Sequence, residues 1–349
     1  MNNNKIKVCI RCATFNHSRY IEDAMNGFVM QETDFPFVAT IVDDASTDGE
    51  PQVLREYFYR FFNHENSEVA FQEETENGTI LYAQHRVNKN CYFAIVLLKE
   101  NHYSQKKSKL PYYNRWSDCA EYIALCEGDD YWTDSRKLQK QVDFLDTHSD
   151  YSLCCHRFRI FNEGTGEWRD DYVADAFLNH LGADGLDVLN AENFRTRFTQ
   201  TLTLCYRKSM YDRIVFPHYK MGQRDFHLHY HLLKVGKGYC FSSYMGVYRK
   251  HGGGVWAGHT ALAQAKIRLE GYQDLYHYNK EDIVVLECYC QWLELFYDKY
   301  VLPPFQRHKI TKNGLKNLLF TVQHDFGTKG VSQAFRHIWG CFAALLKKK

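Results

Sequence analysis

Short apolar runs alternate with amphipathic stretches through the first 75 residues of the chain. Residues 7–12, 37–42 and 68–71 have the length and composition of buried strands. Between them, residues 19–31 and 52–62 carry apolar side chains at helical spacing. Strands that alternate with helices predict parallel pairing through right-handed crossovers. The pattern therefore predicts an α/β fold with helices flanking a mostly parallel sheet.

The pattern changes along the rest of the chain. Residues 122–125 form another short apolar run, and residues 132–146 have the spacing of a helix. Alternation predicts a strand at 200–207, followed by a helix at 226–235. Past residue 260 the spacing is helical, and no apolar run reaches the roughly 18–20 residues of a membrane-spanning helix.

Acidic residues follow two of the predicted strands. Asp43 and Asp44 follow residues 37–42, while Glu127 and Asp129 follow residues 122–125. The crevice beyond the carboxyl ends of parallel strands is where open α/β sheets bind ligands. Glu127 and Asp129 share a face of an extended segment, so together they could hold a divalent cation against a diphosphate. An ordinary turn explains this cluster as well, and a helix-capping turn explains Asp43 and Asp44.

The amino-acid composition excludes few classes of function. The chain has 349 residues and a net charge of +1, so no strong field favours nucleic acid, and no nucleic-acid partner is expected. Aromatic residues make up 16%, which suits a sugar-binding surface or a tyrosine-rich core. The twelve cysteines are scattered, and no apolar signal region stands at the start. Reduced thiols in a cytoplasmic protein are the simplest expectation.

Four motifs stand in order between residues 5 and 258. They are Ala-Thr-Phe-Asn at 13–16, Val-Asp-Asp-Ala-Ser-Thr-Asp at 42–48, Glu-Gly-Asp-Asp-Tyr-Trp at 127–132, and Met-Gly-Val-Tyr-Arg-Lys-His-Gly-Gly-Gly-Val-Trp at 245–256. The third motif continues to Lys137, Leu138 and Gln141. Through this set the chain resembles the family 2 glycosyltransferases of the GT-A fold, bacterial enzymes that build surface polysaccharides.

The resemblance implies a GT-A catalytic domain at residues 1–258, with a Rossmann-like, mostly parallel sheet, and a helical extension at 259–349. It implies a metal-dependent, inverting transfer of a sugar from a nucleotide-sugar donor, with a UDP-sugar as the default. The acceptor is expected to be a hydroxyl of a glycan or of a polyprenyl-linked lipid. An oligomer and a peripheral contact with the inner membrane face are compatible with this family.

The resemblance also assigns roles to individual residues. Residues that it places at the nucleotide are Thr14, Asn16, Asp43, Asp44, Glu127 and Arg249, with Arg249 as a phosphate clamp. Asp129 and His251 are the expected ligands of Mn²⁺ or Mg²⁺, whose preference for hard oxygen donors suits carboxylates and phosphates. Glu127 stands where the family more often has aspartate, so the metal contact falls on Asp129.

The general base that the resemblance implies is Asp225, in the segment 222–226. Arg224 stands where family members often carry a second acidic residue, and Asp225 could instead cap the helix at 226–235. Two other functions stay open at this point. They are a nucleotidyltransferase, which the absence of glycine from residues 13–17 disfavours, and an inactive carbohydrate-binding protein.

The carboxyl-terminal segment has a separate pattern. Its apolar residues recur at the spacing of a single helix face, and they are Val331, Ala334, Phe335, Ile338, Trp339, Phe342, Leu345 and Leu346. Arg336 and the lysines at 347–349 add positive charge. A basic amphipathic helix of this kind lies on an anionic membrane surface or packs against its own domain or a partner chain.

Overall fold

A computed structural model describes residues 6–171, 186–189, 200–220, 222–254, 256, 258–307, 311–327 and 330–346. Its strands are β1 Val8–Thr14, β2 Phe37–Asp43, β3 Ala70–Glu74, β4 Gly78–Gln84, β5 Cys91–Leu98, β6 Tyr122–Leu125, β7 Tyr131–Trp132, β8 Tyr151–Asn162, β9 Glu167–Asp170, β10 Leu186–Leu189, β11 Cys205–Arg207 and β12 Lys237–Lys250. Its α-helices are α1 Ile21–Val29, α2 Glu50–Phe61, α3 Leu110–Ser117, α4 Lys137–Thr147, α5 Lys208–Tyr211, α6 Asp225–Val235, α7 Ala261–Tyr278, α8 Ile283–Phe296, α9 Leu302–Gln306, α10 Lys312–Gly327 and α11 Val331–Leu346.

The centre of the sheet is parallel. Strand β1 lies between β2 and β6, and β5 pairs with the far side of β2, all in parallel. Strand β2 is buried along its whole length, as expected for a strand with helices on both faces. The register places Thr14 of β1 opposite Asp43 of β2, so both side chains stand at the carboxyl edge of the sheet. The predicted α/β class, with a mostly parallel centre and a helical carboxyl-terminal region, is confirmed.

Antiparallel strands complete the two sides of the sheet. A β3–β4 hairpin pairs with β5, and β11 joins β6 to β8. Strand β12 runs parallel to β8 and also pairs with the short β7 through Gly246 and Trp132. This last pairing brings the segment that ends in His251 against the acidic segment at 127–132.

Several predicted boundaries are wrong. The helix predicted at 132–146 begins only at Lys137, because Tyr131 and Trp132 pair with β12. The strand predicted at 200–207 is a 3₁₀ turn at Thr201–Thr203 followed by the short β11. Leu202 at this turn is buried, and its carbonyl accepts a hydrogen bond of 2.9 Å from Trp132 Nε1. This hydrogen bond holds the turn in place, so that it does not extend the strand.

The chain folds as two compact units. The described part of the first comprises 6–171, 186–189, 200–215 and 229–253, and it contains the sheet. The described part of the second comprises residues 216–228 and 254–346, with the gaps given above. In the second unit, α7 packs on α8 and α10 packs on α11. Among the residues that the structure describes, no helix is both long and apolar enough to cross a membrane.

Candidate metal and nucleotide site

Three side chains of the first unit converge beyond the carboxyl edge of the sheet. His251 Nε2 lies 3.0 Å from Asp129 Oδ2, and His17 Nε2 lies 3.6 Å from the same oxygen. One ligand atom from each residue falls within 4.8 Å of the other two. The side chains of His17, Asp129 and His251 are only 12%, 18% and 5% exposed. Two imidazole nitrogens and one carboxylate oxygen at this spacing are a donor set that fits a divalent cation.

The loop after β1 sets the position of His17. Its backbone N–H donates a 2.8 Å hydrogen bond to Glu50 Oε2 at the start of α2. Its Nδ1 lies 3.2 Å from Thr14 Oγ1, and this contact directs Nε2 toward Asp129. Thr14 is itself buried and donates to Glu50, so Glu50 fixes both the backbone of His17 and the hydroxyl that contacts its ring. Orienting contacts of this kind are typical of histidines that bind metals.

Gly128 allows the acidic segment to lie on the end of β1. Its N–H donates a 3.0 Å hydrogen bond to the carbonyl of Ala13. A Cβ atom at this position would lie 2.3 Å from Thr14 Oγ1, which is far inside van der Waals contact. The small residue is therefore required at 128 for Asp129 to reach the two histidines.

The surroundings of Asp129 favour its ionised form, which is the form that binds a cation. Burial by itself would raise its pKa, but the hydrogen bond to His251 and the nearby His17 and His251 rings outweigh burial and hold the pKa below the usual value. The next residue, Asp130, behaves in the opposite way. Its pKa is raised well above the usual value by burial and by the charges of Asp129 and Glu127.

Asp130 and Arg249 join the acidic segment to β12 next to the three candidate ligands. Asp130 Oδ1 accepts a 2.8 Å hydrogen bond from the backbone N–H of Arg249. The Arg249 guanidinium is buried between the rings of Tyr20 and Tyr131, at 4.7 and 5.0 Å from their centroids. It forms ion pairs of 2.6 Å with Asp23 and 3.1 Å with Glu163.

Arg249 also approaches the acidic segment directly. Its Nη1 donates to the backbone carbonyl of Asp129 over 3.3 Å. The structure therefore gives Arg249 a role in holding the acidic segment against β12. Its predicted role as a phosphate clamp stays a prediction.

The two aspartates after β2 have different surroundings. Asp44 is buried and accepts hydrogen bonds of 2.6 and 3.1 Å from the backbone N–H groups of His102 and Tyr103, and one of 2.7 Å from Lys109 Nζ. It therefore anchors the loop at 101–109. Asp43 is also buried, and its two carboxylate oxygens accept from the N–H of Ser46 over long distances of 3.3 and 3.4 Å.

Burial raises the pKa of Asp43 to about 6, with Ser46 acting against the rise and Asp44 adding to it. A buried carboxylate with few partners can accept hydrogen bonds from a ligand that covers it. The nucleotide contacts predicted for Asp43 and Asp44 stay predictions.

Asn16 connects the first two motifs. Its backbone has φ of +57°, a left-handed conformation that asparagine tolerates better than most residues. Its N–H donates to Ser46 Oγ over 2.8 Å, and its Oδ1 accepts from the N–H of Thr47 over 2.8 Å. Asn16 thus fixes the loop that follows Asp43. Nucleotide contacts of Thr14 and Asn16 stay predictions.

For Glu127 and Asp225, the two remaining predicted residues, the structure gives less information about function. Glu127 is half-buried, and its backbone carbonyl accepts from the N–H of Asp130 over 3.2 Å, which closes the turn of the acidic segment. Asp225 is the first residue of α6 and belongs to the second unit. Its Oδ1 accepts a 2.9 Å hydrogen bond from the N–H of Phe226, and the carbonyl of Arg224 accepts one of 3.0 Å from the N–H of His227. The role of Asp225 as the general base stays a prediction.

Two residues of this site were missed by sequence reasoning. His17 lies in the loop whose motif ends at Asn16, and nothing in the sequence shows that its ring turns toward Asp129. Glu50 begins α2 and binds the Thr14 hydroxyl, the His17 N–H and, over 2.9 Å, the Ser46 hydroxyl. An acidic residue at the start of a helix is usually explained by the helix dipole, so Glu50 gave no separate signal.

Solved structures with a similar fold include two glycosyltransferases. Staphylococcus aureus TarS 1–349 in complex with UDP-GlcNAc superposes with a TM-score of 0.58 at 14% identity, over 97% of this chain and 89% of that one. The mannosyltransferase PcManGT of Pyrobaculum calidifontis, in complex with GDP-Man and Mn²⁺, gives 0.52 at 12% identity, over 99% and 88%. The protein therefore has the GT-A fold of nucleotide-sugar glycosyltransferases.

Sequence comparison gives the narrower relationship. The chain is 30% identical over 303 residues to the uncharacterized proteins Rv1520 of Mycobacterium tuberculosis and Mb1547 of Mycobacterium bovis, covering 80% of this chain and 72% of theirs. It belongs to the same protein family as these mycobacterial proteins. No family model matches the chain.

Proposed function

We propose that the protein is a metal-dependent, inverting glycosyltransferase. It transfers a sugar from a nucleotide-sugar donor to a hydroxyl of a glycan or lipid-linked acceptor. The convergence of His17, Asp129 and His251 at the carboxyl edge of the sheet is the observation that carries this proposal. Donor diphosphates carry negative charge that a cation must balance, and ligands of α/β sheets bind at this edge.

The donor set favours a particular class of cation. Imidazole nitrogen is a good ligand for first-row transition ions, whereas Mg²⁺ prefers oxygen ligands and retained water. We therefore expect Mn²⁺ rather than Mg²⁺ to be held by His17, Asp129 and His251. When bound, the ion supplies positive charge against the departing nucleoside diphosphate.

The nucleotide is expected beside the metal ligands, at the end of β2. Asp43 would accept hydrogen bonds from the base N–H or the ribose hydroxyls, and the loop at 101–109, anchored by Asp44, would border the same edge. A UDP-sugar is the expected donor, in line with the UDP-GlcNAc bound by TarS. Because the mannosyltransferase structure contains GDP-Man, guanine nucleotides should be tested as well.

The chemistry that we propose is a single displacement with inversion. Asp225 takes the proton from the acceptor hydroxyl, whose oxygen forms a bond to the anomeric carbon. The bond from that carbon to the diphosphate oxygen breaks, and its electron pair leaves with the nucleoside diphosphate. Capsule, O-antigen or lipopolysaccharide synthesis at the cytoplasmic face of the membrane is the proposed setting.

Thermal unfolding with nucleotides tests the donor site, because a ligand that binds only the folded state raises the midpoint. Each of UDP, GDP, UDP-GlcNAc and GDP-Man would be tested with and without Mn²⁺. We expect one nucleotide to raise the midpoint only when Mn²⁺ is present, and Asp129→Asn to abolish that shift. Asp134→Asn, which changes a carboxylate engaged by Lys140 outside the ligand cluster, is the matched control.

Turnover is then measured as release of the nucleoside diphosphate from the donor that binds. Asp225→Asn should retain the thermal shift and lose turnover, which separates the proposed base from donor binding. Metal-dependent binding without turnover of any sugar nucleotide would instead identify an inactive binding protein. No shift with any nucleotide in the presence of Mn²⁺ would refute the proposed donor site.

A further inference from the structure

Helix α11 presents two faces of different character. Ala334, His337 and Cys341 are buried within the second unit. The His337 ring stacks on Tyr297 at a centroid distance of 4.0 Å, and its Nδ1 lies 2.8 Å from the buried Asp325. This face is a packed and hydrogen-bonded interior, so the helix is docked on its own unit.

The opposite face of α11 carries large apolar side chains in solvent. They are Phe335, Ile338, Trp339, Phe342 and Leu346, with exposed fractions of 68%, 40%, 65%, 59% and 69%. At 3.6 residues per turn these five positions fall within an arc of about 100°, and they extend over about 16 Å of the helix. We call this set the α11 apolar stripe.

A continuous stripe differs from the isolated apolar residues found on most protein surfaces. Single exposed leucines need no explanation, but an unbroken row with two phenylalanines and a tryptophan marks an interaction surface. The preceding helix, α10, adds Leu315 and Leu319, with exposed fractions of 48% and 68%. Amphipathic surface helices usually have a polar outer face, and the two carboxyl-terminal helices expose much more apolar surface than such helices do.

The charge of this region indicates what covers the stripe. Residues 311–349 contain seven lysines and arginines and one acidic residue, Asp325, whereas the whole chain has a net charge of +1. Asp325 is fully buried against His337, so it offers no exposed negative charge. On α10, the exposed Lys312 and Lys316 share a face with Leu315 and Leu319.

Arg336 pairs with Glu294, which leaves six lysines in residues 311–349, and this positive charge disfavours a second copy as the partner. Two copies meeting through this surface would bring like charges together, which costs free energy. An anionic lipid surface satisfies both properties, because basic side chains meet the headgroups and apolar side chains enter the boundary with the acyl chains. Tryptophan also prefers that boundary.

We propose that the α11 apolar stripe, assisted by Leu315 and Leu319 of α10, docks the protein on an anionic lipid bilayer. The helix lies in the plane of the membrane surface and does not cross it. Membrane attachment of this kind is independent of the sugar-transfer chemistry, since none of its residues belongs to the candidate metal and nucleotide site. It would place the protein where lipid-linked acceptors are found.

Vesicle flotation with the full chain tests the docking. Vesicles of phosphatidylcholine alone are compared with vesicles that also contain phosphatidylglycerol, at low and high salt. The double variant Trp339→Ser/Phe342→Ser removes apolar contacts, and Lys312→Glu/Lys316→Glu reverses charge. Trp168→Ser, which removes a 54% exposed tryptophan from β9, is the matched control. Circular dichroism establishes that each variant is folded.

We expect the wild type and Trp168→Ser to float with the anionic vesicles. Trp339→Ser/Phe342→Ser should lower the partition coefficient by about tenfold or more, given the apolar area removed. Lys312→Glu/Lys316→Glu should remove most of the dependence on phosphatidylglycerol and on salt. Failure of the wild type to float, or unchanged flotation of the folded double variant, would overturn the proposal. A dimer in light scattering that Trp339→Ser/Phe342→Ser dissociates would assign the stripe to a second copy instead.

Discussion

His251 Nε2 and Asp129 Oδ2 lie 3.0 Å apart, although 122 positions separate the two residues in the chain. The contact exists because β12 pairs with β7 through Gly246 and Trp132, the last residue of the acidic segment. Asp130 strengthens the pairing by accepting the N–H of Arg249. Strand pairing and a buried carboxylate thus bring together two motifs that are far apart in the sequence.

The contact leads to a prediction about metal affinity. Replacing His251 or His17 by alanine removes one of three candidate ligands, so each substitution should weaken Mn²⁺ binding by at least about tenfold. Titration of Mn²⁺ followed by electron paramagnetic resonance measures this directly, with no nucleotide present. His259→Ala changes an exposed histidine eight residues beyond His251 and should bind Mn²⁺ as the wild type does. Equal affinity in His17→Ala and the wild type would remove His17 from the ligand set.

Gly128→Ala should damage the acidic segment through sterics alone. The added Cβ would lie 2.3 Å from Thr14 Oγ1 and 2.6 Å from Thr14 Cβ, so the segment or β1 must move. Overpacking of this type typically costs about 1–3 kcal/mol of unfolding free energy, and the displaced Asp129 should also bind Mn²⁺ less well.

Urea unfolding and Mn²⁺ titration measure these two effects. Gly252→Ala is the control, because a Cβ at residue 252 meets nothing within 4 Å. A Gly128→Ala protein as stable as the control would show that Thr14 can move aside without cost.

The sequence predicted those parts of the fold that depend on local pattern. The strands beginning near residues 8 and 37 and their intervening helix follow from apolar periodicity, and the structure contains them at Val8–Thr14, Ile21–Val29 and Phe37–Asp43. Asp129 and His251 were predicted together as metal ligands from motifs, and the structure brings them into contact.

Other features depend on contacts that the sequence does not display. Strands β4 and β5 were overlooked because no helix separates them from β3 or from each other, so the alternation of strands and helices fails there. His17 was overlooked because its ring orientation comes from Thr14 and Glu50, residues that are neighbours only in the folded chain. Side-chain direction in a loop is set by such tertiary contacts.

Asp43→Asn should stabilise the protein while weakening nucleotide binding. The pKa of Asp43 is raised by burial from the usual 3.8 to about 6, so between these values the folded state binds more protons than the unfolded state. Stability contributed by this group is therefore lost as the pH rises from about 4 to about 6. At pH 7 the ionised carboxylate destabilises the folded state.

Removing that charge should raise the unfolding free energy at pH 7 by about 1–3 kcal/mol. Urea unfolding at pH 4.5 and pH 7 measures the change, and the difference between variant and wild type should shrink at the lower pH. The same variant should lose the nucleotide-induced thermal shift. An Asp43→Asn protein that binds nucleotide normally would exclude a direct role for Asp43 at the donor.

Asp44→Asn should release the loop at 101–109. The carboxylate accepts two backbone N–H groups and the Lys109 ammonium while itself buried, and an amide oxygen cannot replace the ion pair. Loss of a buried, charge-assisted anchor typically costs about 1.5–3 kcal/mol, here concentrated in the loop. Trypsin should then cut at Lys106 and Lys107 several-fold faster than in the wild type.

Glu100→Gln serves as the control, because it removes the exposed ion pair between Glu100 and Lys107 at the edge of the same loop. An exposed pair contributes little, so this variant should be cut at nearly the wild-type rate. Equal rates for Asp44→Asn and the wild type would show that other contacts hold the loop.

Lys137 is a buried cation without a carboxylate partner among its described contacts. Its Nζ lies 3.8 Å above the ring of Trp132 and donates a 2.6 Å hydrogen bond to Gln141 Oε1. Burial lowers its pKa from the usual 10.5 to about 8. The folded protein therefore binds fewer protons than the unfolded protein between pH 8 and 10.5, and this group makes stability rise with pH across that window.

Lys137→Met keeps most of the side-chain volume and removes the charge. Because a buried charge costs more than an apolar group of similar shape, we expect the variant to be at least as stable as the wild type at pH 7. Its stability should not increase between pH 8 and 10 as that of the wild type does. Chemical unfolding at both pH values measures the slopes, and Lys140→Met, which removes a partly exposed lysine one turn away, should retain the wild-type slope. A large loss of stability in Lys137→Met at pH 7 would show that the contacts with Trp132 and Gln141 outweigh the cost of burying the ammonium group.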